Sequence, residues 1–122
     1  MPDFTREAEK SRRAKVALRD QLLAGRASLT PETRASAAAA VQAVLRDLVR
    51  AQSPALIAGY VPLGPEPGGP DLPEALAGPL ILPVLLPDND LDWARYQGPD
   101  SLAPGRRGLR EPTGARLGTS AA

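Results

Sequence analysis

The 122-residue chain contains neither cysteine nor histidine. Without cysteine, these residues form no disulfide bond, thiolate nucleophile or thiolate metal site. Without histidine, they lack the commonest general base and the commonest zinc ligand. Neither a Ser-His-Asp nor a Cys-His catalytic set can be assembled from this chain, so most hydrolase mechanisms fit it poorly.

Aromatic residues, net charge and long apolar runs are also scarce. Aromatics make up 3% of the chain, which argues against a stacking platform for single-stranded nucleic acid. The formal net charge is +1, so any site for an anion must be local. No apolar run reaches the roughly 20 residues that span a bilayer, and the N-terminus has no signal-peptide core. The composition predicts a soluble cytoplasmic protein with no nucleic-acid or membrane partner.

Two helices are predicted in the N-terminal half. Leu18 and Leu22 lie on one apolar stripe of the first helix, which is expected over residues 5–25. Thr30 stands directly before a proline, and a hydroxyl followed by proline is a favourable helix start. The second helix is therefore predicted over Pro31–Gln52.

Two short apolar runs, residues 55–63 and 80–86, are typical of strands that are covered on both faces. A short helix is predicted between them at residues 72–77, with Asp71 as its cap. Strand, helix and strand in this order imply a right-handed crossover and parallel pairing. The expected fold class is α/β, with two N-terminal helices packed on a mainly parallel sheet.

A polar turn at residues 88–90 predicts a hairpin into a third strand at residues 91–96. The acidic and amide side chains of that turn lack the spacing of a calcium loop, so no metal ligands are assigned. Beyond Leu102 the chain is rich in Gly, Pro and Arg without periodicity, and a loop is predicted there.

Three cations of the first helix share one face, because Arg12, Lys15 and Arg19 recur at i, i+3 and i+7. Adjacent cations repel one another unless an anion lies among them, and a triphosphate would fill that role. A solvated basic face of a surface helix explains the same charges. The spacing alone leaves both interpretations open.

Glu66 follows the first predicted strand, at the end of the strand where open α/β sheets place ligands. Its carboxylate could accept hydrogen bonds from a ligand, or it could be an ordinary exposed loop glutamate. The nearby glycines are interpreted as turn residues, since neither Gly-Lys-Ser/Thr nor G-x-G-x-x-G is present.

Taken in order, these segments resemble the N-terminal portion of the 5-formyltetrahydrofolate cyclo-ligase family, also called 5,10-methenyltetrahydrofolate synthetase. The resemblance covers about residues 15–112. Its landmarks are Lys15-x-x-Leu18-Arg19, residues 60–66, the strand that contains Leu82-Pro83 with the turn and strand that follow it, and Glu111-Pro112.

The resemblance implies an ATP-dependent, Mg²⁺-assisted ring closure of 5-formyltetrahydrofolate to 5,10-methenyltetrahydrofolate. It assigns no catalytic residue. It implies that ATP is bound by Lys15, Val16, Ala17, Leu18 and Arg19, and that the folate substrate is contacted by Val61 and Glu66.

The chain also departs from the family pattern. After the glutamate the family commonly has an aliphatic residue, one further residue and threonine, whereas Glu66 is followed by Pro-Gly-Gly-Pro-Asp. The family's glycine-rich nucleotide loop, which ends in Tyr-Tyr-Asp, does not occur in these 122 residues. We therefore expect one truncated domain, residues 1–122, without cyclo-ligase activity on its own. The alternatives are a non-catalytic remnant that binds folate or nucleotide, and a helical module that binds partners through the basic face.

Overall fold

The structure is a computed structural model that describes residues 4–76 and 78–122. In chain order its elements are α1 (Phe4–Ala27), α2 (Pro31–Gln52), β1 (Ile57–Ala58), α3 (Leu72–Ala75), β2 (Leu80–Leu85), β3 (Leu91–Arg95), β4 (Leu102–Pro104) and β5 (Arg110–Pro112). The predicted end of the short helix at Ala77 lies outside the described residues.

The bounds predicted for α2 are confirmed. The Thr30 hydroxyl accepts a hydrogen bond from the Thr33 N–H at 3.1 Å, which caps the first turn. At the other end Ser53 takes a left-handed conformation, φ 44°, and its N–H donates to the Val49 carbonyl at 2.9 Å. Local capping chemistry therefore fixes both ends of this helix.

α1 is joined to α2 at its last turn but contains no buried residue. The Arg34 guanidinium of α2 donates to the Ala27 carbonyl at 3.3 Å, where the helix end leaves carbonyls unpaired. Leu18 and Leu22, the predicted apolar stripe, are 55% and 54% exposed. The expected packing of α1 on the sheet is therefore not observed, and of the two N-terminal helices only α2 packs there.

The central sheet has three strands in the order β1-β2-β3. β1 pairs with β2 in parallel, Ile57 opposite Leu80, as predicted. β2 pairs with β3 antiparallel, from Ile81 opposite Arg95 to the tight turn. The α/β class is confirmed, and the sheet is mixed, because the hairpin adds a longer antiparallel ladder than the parallel one.

The turn between β2 and β3 confirms the predicted hairpin. The Asn89 N–H donates to the Leu86 carbonyl at 2.9 Å, and the Leu86 N–H donates to the Asp90 carbonyl at 2.9 Å. Asn89 has a φ of 68°, the left-handed conformation that follows a type I turn in a three-residue hairpin loop. Asparagine tolerates this conformation better than most residues do.

β1 is a two-residue edge strand and not the nine-residue strand predicted at residues 55–63. The short length of β1 is explained by the edge of β2 with which it pairs. Backbone groups alternate between the two neighbours of a strand, so Ile81, Pro83 and Leu85 face this edge. Pro83 has no N–H to offer a longer partner strand.

The segment predicted as a loop after Leu102 instead contains the antiparallel pair β4-β5. This hairpin reaches the same edge of β2, where the Glu111 carboxylate accepts a hydrogen bond from the Leu85 N–H at 2.7 Å. A β carbon at Gly105 would overlap the Glu111 side chain, so this approach requires glycine. The three-residue strands are too short to show periodicity in the sequence.

The core lies between the sheet and the helices α2 and α3. Leu82 is fully buried at its centre. The buried cluster comprises Val61, Leu72, Leu76, Leu80 and Leu82, and the partly buried residues packed on it are Leu45, Val49, Ile57, Tyr96 and Leu102.

Replacing Glu111 by alanine is expected to lower the free energy of unfolding by about 1–3 kcal/mol, because it leaves the half-buried Leu85 N–H without its acceptor. Urea denaturation measures the change. Glu9→Ala, at an exposed position of α1, is the matched control and should have little effect. Equal stability changes in the two variants would show that Glu111 does not hold the β4-β5 hairpin on the sheet.

Candidate functional site

A cavity of about 510 Å³ lies between α2 and the loop of residues 64–71. Its volume falls in the range of about 300–1,000 Å³ that small-molecule sites occupy. The α2 wall is formed largely by small side chains, among them Ala35, Ala38 and Ala39. Because alanine extends only one carbon from the helix, this face leaves room for a ligand.

The loop of residues 64–71 is tied to α2 by one buried polar side chain, Gln42, which is 7% exposed. Its amide nitrogen donates to the Gly68 carbonyl at 2.8 Å and to the Asp71 carboxylate at 2.9 Å. Asp71 makes no side-chain cap for α3, so its predicted capping role is wrong. The Gln42 amide is its hydrogen-bond partner instead.

Two glycines let this loop lie close to α2. Gly68 and Gly69 have φ values of 104° and 80°, which L-residues with side chains rarely adopt. A β carbon at Gly69 would lie 3.1 Å from the β carbon of Ala38. The Pro-Gly-Gly-Pro-Asp segment, where the sequence departs from the family pattern, is therefore the part that packs on the helix.

Glu66 lines the cavity and is exposed. Its Oε1 accepts a hydrogen bond from the Leu63 N–H at 2.6 Å, and its own N–H donates to the Leu63 carbonyl at 3.0 Å. Among the described residues no hydrogen bond is made to its other oxygen, Oε2. The carboxylate is therefore held by one oxygen, and the second has no hydrogen-bond partner among the described residues.

The structure does not bring Val61 to the cavity wall. Val61 is 8% exposed and belongs to the core cluster, five residues before Glu66 in the chain. Its contribution to the described structure is packing against the strands. A direct contact between Val61 and a folate stays a prediction.

The predicted ATP-binding residues, Lys15 to Arg19, all lie on α1 and are exposed. They do not line the cavity that contains Glu66. Within residues 4–76 and 78–122, neither Lys15 nor Arg19 forms a salt bridge. Both cations are thus accessible to an anionic ligand, and a nucleotide on α1 would occupy a place other than the cavity.

The sequence did not single out two cavity residues, Gln42 and Arg26. Gln42 lies in register with Ala38, Leu45 and Val49 on the inner face of α2, and a polar residue in an apolar stripe is a usable signal. Arg26 is half-buried and lines the cavity at the end of α1. Nothing in its sequence context distinguishes it from the other α1 arginines.

Tyr96 is an aromatic residue on the core side of the sheet. Burial raises the pKa of its phenol, and the nearby Glu74 carboxylate raises this pKa further, while Arg110 acts in the opposite direction. The hydroxyl donates a long hydrogen bond of 3.5 Å to Glu74. Tyr96 therefore stays a neutral donor at neutral pH and links β3 to α3.

The described part of the chain contains no group of three or more Asp, Glu, His or Cys side chains that could hold a metal ion. It also contains no helix long and apolar enough to cross a membrane.

Comparisons with known families and with solved structures point to the same enzyme family. The family that matches is described as the 5-formyltetrahydrofolate cyclo-ligase family, and the match covers residues 11–122. Among solved structures, the chain is similar to the NMR structure of Aquifex aeolicus 5,10-methenyltetrahydrofolate synthetase, with 31% sequence identity and a TM-score of 0.69. The likeness covers 84% of this chain and 54% of that one. No curated protein matches the chain.

Proposed function

The chain belongs to the 5-formyltetrahydrofolate cyclo-ligase family, and we propose that it serves the ATP-dependent conversion of 5-formyltetrahydrofolate to 5,10-methenyltetrahydrofolate in the cytoplasm. The observation that carries the proposal is the family match over residues 11–122. The likeness to a solved synthetase supports it. The chain spans 54% of that protein's length. We therefore propose that the complete reaction also requires the remaining portion of the family domain.

The chemistry of this ring closure suits the composition of the chain. The formyl oxygen takes the γ-phosphoryl group of ATP, and ADP is released. N10 of the substrate then attacks the activated carbon and loses its proton, and phosphate leaves. Such a reaction requires aligned substrates and cations near the phosphates, and it requires no protein nucleophile. The absence of cysteine and histidine is compatible with it.

We assign the two substrates to two places. The exposed cations Lys15 and Arg19, with the residues between them on α1, bind the phosphates of ATP. Glu66 accepts hydrogen bonds from the pterin ring through its free oxygen, in a cavity of suitable volume. Val61 lies in the core cluster, in the chain segment that leads into this loop.

Mg²⁺ accompanies ATP in this proposal, and the described residues contain no group of three or more Asp, Glu, His or Cys side chains that could hold it. The ion commonly keeps several waters and binds one or two carboxylates together with substrate phosphates. No residue of the described chain is therefore assigned to it, and no step is derived through it.

Calorimetric titration of the 122-residue chain with 5-formyltetrahydrofolate and, separately, with MgATP tests the proposal. We expect binding of 5-formyltetrahydrofolate. Glu66→Gln should weaken it by about tenfold, because a hydrogen bond to a charged group is lost while Oε1 still accepts from Leu63. Binding of neither ligand would contradict the proposal and favour the interaction module built on α1.

An activity assay separates an enzyme from a binding remnant. With ATP, Mg²⁺ and 5-formyltetrahydrofolate, the chain alone is expected to produce no absorbance of methenyltetrahydrofolate, because its sequence has no glycine-rich phosphate loop. Addition in trans of the C-terminal half of a family member is expected to produce it. Turnover by the chain alone at about 1 per second or faster would contradict this expectation.

A further inference from the structure

We infer that Gln42 is a positioning residue for recognition of the folate substrate: it holds the loop of residues 64–71 so that Glu66 faces the cavity. The inference rests on the proposed function, because it presupposes that Glu66 binds 5-formyltetrahydrofolate. Gln42 lies on α2, outside the motifs of the family resemblance.

The hydrogen bonds of Gln42 span the C-terminal part of the loop. Its side-chain nitrogen carries two N–H groups, and one goes to the Gly68 carbonyl and the other to the Asp71 carboxylate. Both acceptors belong to the loop, whereas the donor belongs to a helix whose two ends are capped. One side chain therefore ties both ends of the segment 68–71 to α2.

The other hydrogen bonds of the loop are exposed or local in sequence. Residues 64–71 comprise three glycines, three prolines, Glu66 and Asp71, and they form no regular helix or strand. The exposed Tyr60 hydroxyl donates to the Pro67 carbonyl at 3.0 Å. The other hydrogen bonds to residues outside the loop are local in sequence and involve Leu63, Leu72 and Glu74. An exposed hydrogen bond competes with water, whereas the Gln42–Gly68 bond is buried and the Gln42–Asp71 bond is partly buried, so the bonds of Gln42 contribute more to holding the loop.

Glu66 stands two residues before Gly68, and its turn with Leu63 is local. Freeing residues 68–71 would let the whole turn move relative to α2, since Leu63 to Gly68 have no hydrogen bond to that helix except at Gly68. The Pro-Gly-Gly-Pro-Asp segment replaces the family's usual residues after the glutamate. Gln42 is the contact by which this different segment still sets the position of the carboxylate.

The test compares Gln42→Met with Gln52→Met, the same substitution at an exposed position near the end of α2. Methionine keeps the length of the side chain and removes both donors. The 122-residue chain is titrated with 5-formyltetrahydrofolate, and amide hydrogen exchange of residues 63–72 is measured without ligand.

We expect Gln42→Met to speed exchange in the loop and to raise the Kd for 5-formyltetrahydrofolate about tenfold. It should leave the Kd for MgATP unchanged, and Gln52→Met should stay near the parent chain. Unchanged loop exchange, or faster exchange with an unchanged folate Kd, overturns the inference while the proposed function stands. Failure of the parent chain to bind folate overturns the proposed function, and with it the role given to Gln42.

Discussion

Replacing Leu82 by alanine is expected to lower the free energy of unfolding by about 2–5 kcal/mol. Leu82 is 0% exposed, and it packs in the buried cluster that joins β2 to α3 and to Val61. Alanine removes three carbons and leaves a cavity that the surrounding chain fills only in part. Since domains of this size commonly have a total stability of about 5–15 kcal/mol, a large fraction of it would be lost.

Leu48→Ala is the matched control for this prediction. Leu48 lies on α2 but is 52% exposed, so the same substitution removes little buried surface there. We expect a change within about 0.5 kcal/mol. Urea denaturation of the two variants provides the measurement, because a shift of the midpoint at an unchanged m-value reports a change in stability. A similar loss of stability in both would mean that the buried cluster around Leu82 is not the core of the domain.

The same burial explains which parts of the fold were predictable. β2 is buried on both faces, so its sequence is a continuous apolar run, and the strand was predicted to within one residue. α2 was predictable because Thr30 and a following proline mark its start by local chemistry alone. The parallel pairing of β1 with β2 followed from the strand-helix-strand order.

Other parts depend on contacts that a single segment does not reveal. The β4-β5 pair is held by Glu111 on a distant strand edge, and Gly105 is required by that contact rather than by its own turn. α1 was assigned correctly as a helix, because its periodicity is local. Its lack of burial depends on what surrounds it in space, which the periodicity does not encode.

The candidate site also contains one residue that could be predicted from the sequence and one that could not. Glu66 could be found from its place after a strand, and the structure puts it at a cavity. The residue that holds its loop, Gln42, lies 24 positions earlier on a different element. The two are connected only through hydrogen bonds to Gly68 and Asp71. Sequence patterns locate groups that meet ligands more readily than groups that position them.

Replacing Lys15 by alanine is expected to raise the Kd for MgATP by about tenfold or more, because charge-assisted hydrogen bonds to phosphate contribute about 1.5–3 kcal/mol each. Arg19→Ala should act in the same direction. Both residues lie on one face of α1 without an intramolecular salt bridge among the described residues. The Kd for 5-formyltetrahydrofolate should not change, since neither residue lines the cavity at Glu66.

Lys10→Ala is the matched control, because Lys10 is an exposed lysine of the same helix but points about 140° away from Lys15 at 100° per residue. It removes the same net charge, so a general field effect would weaken MgATP binding equally in both variants. A specific site predicts a large effect at position 15 and a small one at position 10. Titration of the chain gives each Kd, and the two-part assay gives the KM for ATP. Equal effects at both positions, or equal effects on both ligands, would identify the α1 cations as a solvated basic face.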